Sequence, residues 1–342
     1  MRKRLICGVL LLCLLLTGCA GKAEPERTKY TATFLTLFDT VTSIVGYADS
    51  EESFRQITQP IHDELLVYHQ LFDIYYDYDG INNLKTVNDN AGVAPISVDR
   101  KIIDLLLDCR QYYEATNGCV NAAMGSVLKL WHVARNDGID DPANAYLPKE
   151  SDLQEAAHHM DFSAVVIDEA ASTVFITDPN VALDVGAVAK GWSLQRVVEH
   201  APENLLISVG GNVCATGPRD AEGTPWVVGV QNPDGGDSYL HTLYVSGGSV
   251  VTSGDYQRAY VVDGELYHHI IDPTTLFPST LWRSVTIVCD DSGLADALST
   301  ALFLLSREEG QKLLTSFDAC AMWVDRDGNQ YYSPGFEAMI RT

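Results

Sequence analysis

Between residues 164 and 324 the chain carries a run of short β-rich segments: 164–168, 173–177, 204–209, 226–231, 241–246, 258–263, 265–271, 284–289 and 319–324. Few helical stretches separate them. Strands clustered in this way pair mainly with antiparallel neighbours, so the pattern points to an α+β fold with a mainly antiparallel sheet core flanked by helices. It disfavours a doubly wound parallel sheet. Asp263-Gly264 and Asp327-Gly328 sit between such runs as hairpin turns. Helical spacing appears in four places. Residues 60–72 carry Ile61, Leu65, Tyr68 and Phe72, with Pro60 suited to a first turn; residues 99–115 start at Asp99 and stop near Asn117-Gly118; the others span about 190–200 and 292–305.

The first residues stand apart from this pattern. Arg2, Lys3 and Arg4 precede an apolar run from Leu5 to Leu16, broken only by Gly8. A dozen residues is too short to span a bilayer, which needs about 20, but suits an export signal. Leu16-Thr17-Gly18-Cys19 then resembles a bacterial lipobox, in which Cys19 is lipidated and becomes the new N-terminus. The expected layout is a signal peptide over 1–18, lipidated Cys19 and a solvated tether over 19–29, and a single unit over 30–342. That places the protein at the cell membrane, lipid-anchored on the extracytoplasmic side. Length allows about two domains or one large one, yet no long linker or repeat divides 30–342.

Charge narrows the partners. With 46 Asp and Glu against 23 Lys and Arg, the net charge is −23. A polyanion of this kind cannot release counterions from nucleic acid, so no general nucleic-acid partner is expected. Beyond Cys19 the cysteines are Cys109, Cys119, Cys214, Cys289 and Cys320, widely spaced and without a CxxC pair. That argues against a zinc site and for small buried hydrophobes.

Three polar clusters could carry chemistry. Asp184-Val-Gly-Ala-Val-Ala-Lys190-Gly191 is a small-residue loop entering a helix, with a cation and free N–H groups to offer an anion; it also reads as a plain strand–helix connection. Asp296, Ser299 and Thr300 fall at i, i+3 and i+4 on an otherwise apolar helix. One carboxylate with hydroxyls is too poor for a calcium cage but suits Mg²⁺, which keeps water and phosphate ligands; the alternative is hydroxyls bonded back within the helix. Thr252-Ser253-Gly254-Asp255-Tyr256 precedes His268-His269-Ile270-Ile271-Asp272-Pro273, where a His near an Asp can serve as general base or as a structural hydrogen-bonding group. Gly210-Gly211-Asn212 adds a close-approach turn, and neither a Rossmann fingerprint nor a P-loop is present.

Taken in order, these segments resemble one family. Asp184 to Gly191 is similar to its D-x-G-x-x-K-G, Val209-Gly210-Gly211-Asn212 to its I-G-G-[DN], Thr252 to Tyr256 to its T-S-G-D-Y, His269 to Pro273 to its H-I-I-D-P, and Ala295 to Thr300 to its A-D-A-x-x-T. Phe38-Asp39-Thr40, Phe72 to Tyr75 and Asn117 to Trp131 match three earlier segments. On these motifs the chain is identified as a member of the ApbE family, the FAD:protein FMN transferases, over residues 34–336.

The resemblance implies a T-fold-related catalytic unit that cleaves FAD and moves FMN onto a threonine of an exported protein, releasing AMP, with Mg²⁺ as cofactor. Asp296, Ser299, Thr300 and the backbone oxygen of Ala187 would hold the metal. Phe38, Tyr75, Cys119, Val120, Asn121, Asp184, Lys190, His269 and Ile271 would line the FAD pocket, and His269, Asp296 and Lys190 would carry the chemistry, His269 accepting the threonine proton. The acceptor class the family suggests is an ion-translocating flavoprotein subunit of the Rnf/Nqr type. Three residues depart from the pattern: Ser299 and Asn121 stand where relatives have Asp, and Leu276 replaces the Gly of D-P-x-T-G. The competing readings are an FAD pyrophosphatase giving FMN and AMP, and a flavin- or solute-binding lipoprotein.

Overall fold

A computed structural model describes residues 27–236 and 238–342. The signal segment and Cys19 lie outside the described residues. Thr28 and Lys29, given to the tether by sequence, already belong to the first strand.

That strand, β1 (Thr28–Leu37), forms a hairpin with β2 (Thr40–Ala48), and neither is among the runs picked out from sequence. The first helix, α1 (Glu51–Phe72), starts nine residues before the expected Pro60. Ser50 caps it by accepting from Ser53 N–H, while the Ser53 hydroxyl closes the reciprocal half of the capping box. Pro60 is therefore inside the helix rather than in its first turn. It sits on the exposed face, where water can satisfy the carbonyl its missing N–H leaves free, while Phe54, Ile61, Leu65 and Phe72 keep the buried stripe intact.

The chain continues through α2 (Leu84–Asp89), β3 (Ile96–Ser97), α3 (Arg100–Ala115), α4 (Gly125–Asp140) and α5 (Glu150–Ala157), then β4 (Val165–Asp168), β5 (Thr173–Ile176) and α6 (Ala189–Val198). Next come β6 (Leu206–Val209), β7 (Asn212–Ala215), β8 (Trp226–Gln231), β9 (Tyr239–Val245), β10 (Gly248–Gly254), β11 (Tyr260–Val262) and β12 (Glu265–Tyr267). The last elements are β13 (Ser284–Cys289), α7 (Ser292–Leu304), α8 (Arg307–Leu314), β14 (Ala319–Val324) and β15 (Gln330–Tyr332). Asp99 caps α3 as expected. Of the expected strands, 265–271 shrinks to β12, because His268 onward leaves the ladder for a loop.

The main sheet has eight strands in the order β1-β2-β6-β7-β10-β13-β14-β15, every pair antiparallel. This is the α+β architecture the strand pattern called for. One face packs on α1, α6 and α7 to make the largest core; the other is covered by the β8–β9 hairpin around Trp226, Leu243 and Phe336. A third cluster, with Trp131, Tyr260 and Leu276, joins α4 to the β11–β12 hairpin. A cleft opens where the sheet, α6 and α7 meet this third cluster. The five described cysteines are free thiols, with Cys109, Cys214 and Cys289 buried, which matches their reading as small hydrophobes.

Candidate active site

The cleft has a volume of about 220 Å³ and draws its lining from segments far apart in sequence, from Phe38 to Thr300. Its inner wall is the crossing of α6 and α7. A Cβ on Gly191 would lie 2.3 Å from the Ser292 carbonyl oxygen and 2.6 Å from Asp296 Cβ, so only glycine lets the two helices approach this closely. The approach brings Gly191 N–H to donate to Asp296 Oδ2 at 2.9 Å. Lys190 Nζ lies 3.5 Å from the same oxygen and 3.4 Å from the Gly186 carbonyl. Asp296 is buried but faces the cleft, and Thr300, one turn on, lines it too.

Ser299 does not. Its hydroxyl donates to the Asp296 carbonyl at 2.9 Å and meets Ser253 Oγ at 2.8 Å, and the residue is fully buried. A step of four residues returns to the cleft side of the helix while a step of three turns toward the sheet, so the i, i+3, i+4 stripe is divided between two neighbours. The oxygens left facing the cleft are the Asp296 carboxylate and the Thr300 hydroxyl, with the backbone at Ala187 beside them. Among the described residues no group of three or more His, Cys, Asp or Glu is placed to hold a metal. Few, hard oxygen donors suit Mg²⁺ sharing its sphere with water and phosphate, and do not suit zinc or a calcium cage.

Phe38, Tyr75, Cys119, Val120, Asn121, Asp184, Lys190, His269 and Ile271 all line the cleft. Asn121 is held by its own side chain: Nδ2 donates to the Met160 carbonyl at 2.9 Å and Oδ1 accepts from Ala123 N–H at 2.9 Å. Aspartate could not make the first of these bonds, which accounts for Asn in this chain. Asp184 accepts from Gly186 N–H at 2.9 Å, fixing the loop into α6.

The two adjacent histidines divide their work. His268 is buried, accepts from Ile270 N–H on Nδ1 and donates from Nε2 to the Ser279 carbonyl at 2.8 Å, a structural arrangement. His269 donates from Nδ1 to the Gln257 carbonyl at 3.1 Å, which leaves Nε2 as the free acceptor. Burial first, then the charges of Arg258, His268 and Lys190, push its pKa down to about 3, so the ring is neutral at physiological pH. Asp255, in the same T-S-G-D-Y motif, does not line the cleft; it is buried against Arg283 Nε at 3.2 Å, which also binds Asp234 and the Pro233 carbonyl. Burial raises its pKa.

The outer lip carries Phe38 and Tyr75, which the family resemblance named, together with His69, His132, Arg135 and Arg258, which sequence reasoning missed. Phe38 and Asp39 form the two-residue β1–β2 turn, both left-handed with φ of 53° and 51°, a conformation that bulky residues rarely adopt. Phe38 N–H donates to His69 Nδ1 at 3.2 Å, and the Phe38 carbonyl accepts from Arg258 at 3.3 Å. Arg258 is itself left-handed, φ 45°. Tyr75 hydrogen-bonds His132 Nδ1, and Arg135 lies beside them with its pKa lowered by burial. The Tyr75 phenol is pushed well above its ordinary range by burial. The signal that could have found this lip is an Asp following an aromatic residue between two alternating β-runs. At Leu276 the structure gives φ 64° with the side chain buried and the carbonyl accepting from Trp131 Nε1 at 2.9 Å. More than a turn residue, it belongs to the third cluster.

The family described as ApbE matches residues 38–323. A Treponema pallidum protein named FAD:protein FMN transferase is 36% identical over 277 residues, 75% of each chain. One of the same name from Klebsiella pneumoniae is 31% identical over 281 residues, 78% of this chain and 84% of its own. The crystal structure of an ApbE protein from Thermotoga maritima superposes with a TM-score of 0.79 at 30% identity, over 92% of this chain and 100% of that one. The flavin transferase ApbE from Vibrio cholerae, at 19% identity and TM-score 0.73, shares the fold.

Proposed function

From the premise that the chain belongs to the ApbE family, we propose that it transfers FMN from FAD to a threonine hydroxyl of an exported flavoprotein, with Mg²⁺, releasing AMP. The enzyme is an FAD:protein FMN transferase, with FAD as substrate and a flavoprotein as acceptor. The threonine target, the metal and the residue roles are the reading we add. The convergence of Asp296, Lys190 and the open Nε2 of His269 on one cleft carries it.

In the reaction the threonine Oγ attacks the phosphorus of the FMN half of the pyrophosphate. A new O–P bond forms, the bond to the AMP oxygen breaks, and the threonine proton goes to Nε2 of His269. Gln257 keeps the Nδ1 proton in place, so only Nε2 can accept. An anionic pyrophosphate beside the ring would offset Arg258 and Lys190, and so raise the basicity those cations lower. Lys190 supplies positive charge to oxygens that gain negative charge in the transition state. Asp296, Thr300 and the backbone at Ala187 would hold Mg²⁺, which when bound neutralises charge on the phosphate oxygens. Ser299 would support Asp296 through its backbone rather than bind the ion.

The sequence of residues 2–19 supports export and lipid anchoring at Cys19 on the outer side of the cell membrane, and an Rnf/Nqr-type ion-translocating subunit is the acceptor we propose. The experiment is incubation with FAD, Mg²⁺ and the exported domain of such a subunit, read by in-gel flavin fluorescence. Covalent flavin on the domain is expected; free FMN and AMP with an unlabelled domain would show a pyrophosphatase instead. Asp296→Ala should lower transfer by at least a hundredfold, on the order of 3 kcal/mol in transition-state binding, and undiminished transfer across a Mg²⁺ titration would remove Asp296 from the metal site.

A further inference from the structure

His269 can take a proton from an attacking hydroxyl only if its loop is held in register with α7, which carries Asp296 and Thr300. The two are separate pieces of chain. Residues 268–279 follow β12, and α7 begins only after β13. Two buried polar residues, Ser279 and His268, join them.

The joint on the helix side is at the end of α7. A helix leaves its last four carbonyls without an intrahelical partner, and Phe303 is the next-to-last residue of α7. The Ser279 hydroxyl donates to the Phe303 carbonyl at 3.1 Å, and Trp282 Nε1 donates to the Leu305 carbonyl at 2.9 Å, just past the helix. Thr300 precedes this joint by about 4.5 Å of helix rise.

The joint on the loop side surrounds His269. Ser279 N–H donates to the Ile270 carbonyl at 3.1 Å, and the Ser279 carbonyl accepts from His268 Nε2 at 2.8 Å. His268 Nδ1 accepts from Ile270 N–H at 3.2 Å, so this bond spans the residue between them, His269 itself. The His268 ring also meets the Phe303 ring edge-on, with centroids 5.5 Å apart. Both neighbours of His269 are thereby tied, directly or through Ser279, to one turn of α7. The bond from His269 Nδ1 to Gln257 orients the ring but does not join the loop to the helix. A buried polar network is worth its desolvation only when its members are satisfied; here both His268 nitrogens and the hydroxyl, N–H and carbonyl of Ser279 have partners.

We infer that Ser279 and His268 are positioning residues for transfer, setting where Nε2 of His269 stands relative to Asp296 and Thr300. This rests on the reading of His269 as the base. Ser279 is not in the cleft lining, and the protein occupies both His268 nitrogens, so the pair acts through His269 rather than on a ligand.

The test is a cycle of four full-length proteins: wild type, Ser279→Ala, His269→Gln and the double variant. Single-turnover rates of covalent flavin formation are measured with saturating FAD and the exported domain named above, and FAD binding by fluorescence quenching. A misplacement of 1 Å costs up to about a hundredfold in rate. Ser279→Ala should therefore slow transfer at least tenfold while the Kd for FAD stays within twofold. In the His269→Gln background the same substitution should cost less than twofold, because the group it positions is already gone. Ser279→Thr, which keeps the hydroxyl, should recover most of the rate. Wild-type transfer by Ser279→Ala overturns the proposal. So does an equal fold-loss in both backgrounds, which would make the contribution of Ser279 independent of His269. If His269→Gln itself transfers like wild type, the base reading falls instead, whatever Ser279→Ala does.

Discussion

The two walls of the cleft are held in place by opposite means. The inner wall, α6 against α7, is fixed by exclusion: Gly191 leaves no room for even one more carbon, and Asp296 is oriented by the backbone that this contact brings near. The outer lip is fixed by attachment. Phe38, Asp39 and Arg258 occupy left-handed backbone that costs of order 1 kcal/mol each, and the turn stays there because His69 and Arg258 bind it at its N–H and carbonyl. One wall fails when an atom is added and the other when a hydrogen bond is taken away. Lys190 and Asp296, to which we assign roles in transfer, sit on the first; the second borders the mouth of the cleft.

The largest effect is therefore expected from the smallest addition. Gly191→Ala forces its Cβ into the Ser292 carbonyl and Asp296 Cβ, both on a helix that is buried almost all round. Overpacking of this kind costs 1–3 kcal/mol and occasionally more; with backbone as the obstacle we expect about 3 kcal/mol or more in urea unfolding, and transfer activity lost with it. A variant as stable as wild type would mean that the helices separate freely and that exclusion does not set the inner wall.

This difference also explains what was legible in the sequence. The inner wall announces itself, because close packing demands residue types at fixed spacing: Gly191 after Lys190, Asp296 and Thr300 a turn apart. The antiparallel strands of the second half announce themselves by alternation and hairpin turns. The lip is marked by family likeness alone, in Phe38-Asp39-Thr40 and Phe72 to Tyr75, and not by a periodicity of its own. β1 alternates Thr with Ala, Phe and Leu, its turn uses Phe38-Asp39 instead of Asn-Gly, and the turn is stabilised by His69, 31 residues away. Such long-range attachment leaves no local pattern. The helical stripe put Asp296, Ser299 and Thr300 on one face, whereas the structure divides them, with Ser299 turned to Ser253 on a strand 46 residues earlier.

His269 stands between the walls, facing Lys190 on one and Arg258 on the other, and its titration compares them energetically. Its folded pKa is about 3, against about 6.5 in the unfolded chain. A group whose pKa is lowered by folding binds its proton first in the unfolded state, so stability is whole above pH 6.5 and declines as pH falls toward 3, by about 1.4 kcal/mol per unit. Between pH 7.5 and 5 the wild type should lose on the order of 2 kcal/mol through this group. His269→Gln should lack that part of the loss, while His268 and His132, also lowered by burial, contribute equally to both proteins. Urea titrations at the two pH values check this; parallel losses in the two proteins would show that His269 is not held neutral by its surroundings.

The smallest of these effects tests attachment at the lip. His69→Ala removes the acceptor of Phe38 N–H and the ring that meets Phe38 edge-on at 5.6 Å. The turn borders the cleft, so water can replace part of the lost bond, and the stability cost should be about 1 kcal/mol, well below that of Gly191→Ala. Function should suffer out of proportion. Once released, the left-handed pair relaxes to ordinary backbone and carries Phe38 away from the cleft it lines, so on our reading of that cleft as the FAD pocket the Kd for FAD should rise several-fold. His69→Gln, which retains an acceptor on a side chain of similar reach, should restore part of that affinity. If His69→Ala binds FAD as tightly as wild type, the turn holds its shape without the attachment, and the contrast between the two walls reduces to one of burial.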